Sequence, residues 1–86
     1  MQTLTLNDGT VLEDSYAAES LDCLFLYIGN NMNIIQVMML MVDQDKISRI
    51  VYKAGEANQT EYMNYTTVSS ISAEHGGMIS VVLRRG

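Results

Sequence analysis

The chain has 86 residues, 48% of them hydrophobic and 17% charged, and a net charge of −5. So short a chain buries only about 60% of the surface its unfolded form exposes, which predicts a thin core in a single domain spanning residues 1–86. The apolar fraction is too high for a disordered segment, and the negative charge repels phosphates and disfavours general nucleic-acid binding.

The N-terminus, Met1-Gln2-Thr3-Leu4-Thr5-Leu6, lacks both a basic start and a long apolar run, so neither a signal peptide nor an anchor is expected. Thr3 to Leu6 alternates as a strand does, and Asn7-Asp8-Gly9 tolerates positive φ, which predicts a hairpin with a second arm from Thr10 to Ala18. Cys23 to Ile28 is apolar on both alternating faces, the pattern of a central strand covered on both sides, and Gly29-Asn30-Asn31 ends it.

Asn33 can then cap a helix over about 33–43. Its apolar core, Ile34 to Val42, is about half the length of a membrane-spanning helix, so no membrane partner is expected. From Lys46 the β-branched and aromatic residues return, and Ala54 to Asn58 offers a turn before Gln59 to Met63. Thr66 to Ala73, the turn Glu74-His75-Gly76-Gly77 and Met78 to Arg84 complete a further hairpin. The predicted fold class is α+β: six or seven short, mostly antiparallel strands in a bent sheet or partial barrel, with one short helix packed on it.

Candidate chemistry is sparse. Glu74-His75 could form an acid/base pair, but a solvated polar turn is the far better account of both residues. The lone Cys23 excludes an internal disulfide, opens an apolar strand where cysteine behaves as a small hydrophobe, and fits a reducing, cytoplasmic setting. Asp43-Gln44-Asp45 begins like a calcium loop, yet neither the turn glycine nor the distal glutamate follows, so a solvated loop is expected. Gly76-Gly77 lacks the lysine and the strand-to-helix setting of a phosphate cradle. Lys46, Arg49, Lys53, Arg84 and Arg85 are read as solvent-facing charges, and the five tyrosines as core packing. No catalytic residue, metal ligand or cofactor is assigned, and an enzyme is not expected.

The segment Ile34 to Val42 is the most informative. At 100° per residue, Ile34, Val37, Met38, Met41 and Val42 gather on one face, the stripe that a helix lays on a sheet. Ile35, Gln36, Met39 and Leu40 fall elsewhere, with Gln36 the only polar side chain. A helix apolar nearly all round needs cover on its second side, and methionine adapts to irregular surfaces; Met32, Met38, Met39 and Met41 are four of the seven in the chain. Ile35, Gln36, Met39 and Leu40 are therefore the candidate protein interface, with a homo-oligomer, most simply a dimer, or another protein as partner. The alternatives are burial of that side by the chain's own loops, a buried strand over 34–42, and a small-molecule site between sheet and helix lined by methionine and tyrosine.

The segments Thr3-Leu4-Thr5-Leu6-Asn7-Asp8-Gly9-Thr10, Tyr62, Tyr65-Thr66, Ile71 and Ile79-Ser80-Val81-Val82-Leu83 resemble short proteins of gut Firmicutes and their prophages. The resemblance implies a phage-type structural or accessory protein and carries over no functional residue. The expected function is a non-enzymatic interaction or assembly module.

Overall fold

The structure, a computed structural model, describes residues 1–73 and 75–86. It contains β1 (Thr3–Thr5), β2 (Val11–Glu13), β3 (Tyr16–Ser20), β4 (Cys23–Ile28), α1 (Ile34–Met41), α2 (Gln44–Ile47), β5 (Arg49–Lys53), β6 (Gln59–Met63), β7 (Thr67–Ala73) and β8 (Ile79–Arg84). The strands form two four-stranded antiparallel sheets, ordered β2-β1-β5-β6 and β3-β4-β8-β7, neither of them closed. This corrects the expected single bent sheet or partial barrel of six or seven strands with one helix: the protein is mostly β, with eight strands and two short α-helices among the described residues.

Four successive hairpins build the sheets, and they go alternately to the first and the second. Each turn carries its own local solution. Gly9 takes φ 93°, and the Thr10 amide donates to Asp8 Oδ1 at 3.0 Å. That hydrogen bond holds the exposed Asp8 carboxyl below its ordinary pKa. Ser20 pairs with Cys23 across a two-residue turn in which Leu21 takes φ 55°. The Ala54 amide donates to the Asn58 carbonyl at 3.2 Å, and Gly76 and Gly77 take φ 83° and 82°.

The extra strand arises because Thr10 to Ala18 is not one arm. Asp14 takes φ 51°, which breaks the strand between β2 and β3 and sends the chain from one sheet to the other. Ser15, buried at this crossing, secures it: its amide donates to the Gln2 carbonyl (3.2 Å) and its hydroxyl to the Glu13 carbonyl (2.9 Å). The hydroxyl oxygen also accepts from the Gly29 amide at 3.2 Å, joining the crossing to the end of β4.

The core lies between the sheets. Leu24, Leu26 and Ile28 of β4 stand beside Leu83, Val81 and Ile79 of β8, all buried. Leu4, Leu12 and Ile50 face them from the first sheet, and Val37, Met41, Ile47 and Tyr65 complete the same cluster. β4 is central, as its apolar run suggested, but it is not covered on both sides. Cys23, Phe25 and Tyr27 are half-buried on the outer face of the second sheet. Tyr27 gains its cover from the edge strand, where Tyr16 stacks on it at 4.6 Å between ring centres. Cys23 is thus a half-buried outer-face residue rather than a core one.

Candidate functional site

The chain between the second and third hairpins carries both helices and, among the described residues, a run of four exposed large apolar side chains. Asn30 and Asn31 take positive φ (60° and 56°) and turn the chain out of β4. Asn33 then caps α1 reciprocally: its side chain accepts from the Gln36 amide, and the Gln36 side chain accepts from the Asn33 amide, both at 2.9 Å. Asp43 caps α2 by accepting from the Asp45 amide at 3.0 Å. The Asp43-Gln44-Asp45 segment is therefore a helix start and not the expected loop. Asn7 fixes α2 against the first hairpin, with its amide donating to the Lys46 carbonyl (2.8 Å) and its side chain to the Asp45 carbonyl (3.0 Å).

Ile34 to Met41 is helical, which removes the buried-strand alternative. Val37 and Met41 are buried, and Ile34 and Leu40 pack against the same core. On the opposite side Ile35 is 65% exposed, Met38 52%, Met39 69% and Val42 81%. These four side chains line an open hollow of about 300 Å³ on the solvent side of the helix. Of the expected interface residues, Ile35 and Met39 lie in the hollow. Gln36 is exposed but engaged in the cap, and Leu40 turns toward the core. Met38 and Val42, expected in the core stripe, are at the surface instead. At 100° per residue the helix is rolled by about 50° from the expected orientation. With apolar side chains nearly all round, no ring of polar residues marks which side faces water.

A second cluster surrounds Tyr65, whose ring is buried in the core. Its hydroxyl donates to the Glu19 carboxylate, and the Arg85 guanidinium lies 4.4 Å from the ring centre. Arg85 also donates to the Met63 carbonyl at 3.1 Å and approaches Glu19 at 3.8 Å. β3, the β6 to β7 link and the segment after β8 are thereby tied together. The hydrogen bond to Glu19, and then burial, push the Tyr65 hydroxyl above its ordinary pKa; burial does the same for Tyr62. The folded protein therefore keeps these protons at a pH where the unfolded chain has lost them. Their contribution is complete below about pH 10 and is lost as pH rises through the raised values. Thermal melts between pH 8 and 11 should show the melting temperature falling above about pH 10. The fall should be shallower in Tyr65→Phe, and equal slopes would exclude this linkage.

The Glu74 and His75 side chains, the one acid/base pair suggested by the sequence, lie outside the described residues. Among the described residues, no group of three or more His, Cys, Asp or Glu is placed to hold a metal ion, and no helix is long and apolar enough to cross a membrane. The chain matches no protein-family model, curated protein or solved structure in the comparisons.

Proposed function

We propose that the protein is a non-enzymatic interaction or assembly module that docks through the outer face of α1, in the first instance on a second copy of itself. The observation that carries this is the hollow formed by Ile35, Met38, Met39 and Val42. Four large apolar side chains at i, i+3, i+4 and i+7 remain half exposed or more, on a helix without a single charged residue. The lining offers no polar group to orient a small metabolite, whereas it suits an apolar protein surface, and its two methionines can adapt to one. The resemblance to short prophage proteins supports an assembly role of structural or accessory kind.

Size-exclusion chromatography with light scattering tests the proposal. The wild type is expected to be dimeric at concentrations on the order of 100 μM. Ile35→Glu with Met39→Glu should weaken association by about 30-fold or more while circular dichroism stays unchanged, since both residues point into solvent. A wild type that remains monomeric rules out self-association, and a variant dimer of unaltered affinity rules out this face.

A further inference from the structure

The outermost strands of the two sheets are β2, β6, β3 and β7. Such strands present unpaired amides and carbonyls to any passing strand, and proteins defend them with charge, brevity or bulges. Three of the four carry an acidic residue: Glu13 in β2, Glu61 in β6 and Glu19 in β3. Each of these edges thus sets a charged side chain at any seam between two copies, Glu13 alone, Glu61 with its Arg49 partner at 2.8 Å and Glu19 with Tyr65 and Arg85, and pairing along it would have to desolvate or displace that charge. β7 differs. Its seven residues, Thr67–Ala73, are the longest of the four edges and contain no charged side chain, and all but the half-buried Ile71 are exposed. One defence remains, a bulge between Val68 and Ser70, which leaves Ser70 to Ala73 in regular register with β8.

α1 packs against this same strand. The helix that carries the apolar hollow on its solvent side is therefore a direct neighbour of the uncharged edge strand. The four exposed side chains of α1 offer an area on the order of 500 Å², within the range of the largest apolar patch on ordinary monomers. That falls short of the ~800 Å² per partner in a stable standard interface. Strand pairing beside the helix supplies further area and adds directional main-chain hydrogen bonds.

We propose that a second copy of the chain pairs its β7 antiparallel with this one across a twofold axis. The two β3-β4-β8-β7 sheets then join into one continuous eight-stranded sheet, with the α1 faces alongside the seam. The inference rests on the self-association proposed above and specifies its geometry. Ser70 and Ser72 stand on the outer face of the strand, where Ser72 already reaches Ser80 at 3.2 Å. Lysine at both positions would line the seam with like charges from the two copies, while leaving the core-facing Ile71 in place.

Hydrogen exchange of the β7 amides, measured on the full chain from low micromolar to about 100 μM alongside light scattering, separates the outcomes. Concentration-dependent protection of alternate amides in Ser70 to Ala73, appearing together with the dimer, is the expected result. S70K/S72K should weaken the dimer by about tenfold or more with its circular dichroism spectrum preserved. A dimer that forms with no added protection in β7, or that S70K/S72K leaves unchanged, overturns strand pairing and leaves docking through α1 standing. A chain that is monomeric throughout overturns both.

Discussion

Leu26→Ala is expected to destabilise the protein by about 3 kcal/mol, the middle of the range for a buried leucine cut back to alanine. Leu26 is fully buried at the middle of the inner face of β4, between Ala17 of β3 and Val81 of β8. Ala17 is too small to move into the vacated space, and Val81 is held by its own ladder, so the cavity stays largely open. For a domain of this size such a loss lowers the melting temperature by about 15 °C. It also consumes a large part of a total stability of about 5–10 kcal/mol. Urea unfolding should show the midpoint falling with its slope unchanged. Phe25→Ala, one residue away on the half-buried outer face, should cost less despite removing the larger side chain. A smaller loss for Leu26 than for Phe25 would mean that the space between the sheets is not the main core.

Gly29→Ala is expected to cost about 2–3 kcal/mol, because overpacking combines with a lost buried hydrogen bond. A Cβ at Gly29 would collide with the Asp14 carbonyl oxygen, which is backbone at the crossing between the sheets and cannot swing aside as a flexible side chain could. Moving either segment stretches the 3.2 Å bond from the Gly29 amide to the Ser15 hydroxyl and leaves a buried donor without a partner. Gly55→Ala provides the control: nothing lies near its Cβ position, and its φ is not in the left-handed region. Chemical denaturation of both variants should give a clear loss at residue 29 and a change within about 0.5 kcal/mol at residue 55. Equal effects at the two positions would mean that close backbone approach is not what residue 29 protects.

The parts of the fold that depend on local chemistry could be read in the sequence. Asn7-Asp8-Gly9, Ala54 to Asn58 and the paired glycines 76 and 77 all mark turns, and Asn33 marks the start of α1. The allocation of strands to two sheets could not be read, because the chain passes between the sheets three times, and the first passage turns on the positive φ of Asp14 in a stretch whose composition suits a single strand. Residues 23, 25 and 27 misled for a different reason. Aromatic and small apolar residues on an outer face have the same alternation whether another layer or a cross-strand ring shelters them, and only tertiary structure distinguishes Tyr16 stacked on Tyr27 from a covering helix. The candidate site shows the same limit. That α1 has too many apolar residues to bury was evident, but Gln36, its only polar side chain, is occupied by the cap and does not indicate the solvent side. Met38 and Val42 consequently exchange places with Leu40.

The alternation of hairpins between sheets also bears on how the chain acquires its structure. Each hairpin closes locally and quickly, within about 1–10 μs for an isolated β-hairpin. The seams that unite them are distant: β1 meets β5, with Leu4 opposite Tyr52, and β4 meets β8, with Leu26 opposite Val81. Neither sheet can be assembled from one half of the chain. During synthesis β1 and β4 emerge with one side satisfied and the other waiting for strands not yet made, so the first half is open to pairing with the wrong chain. The slow step is then the meeting of the two halves, and a rise in misassembly at high protein concentration is the cost of that connectivity.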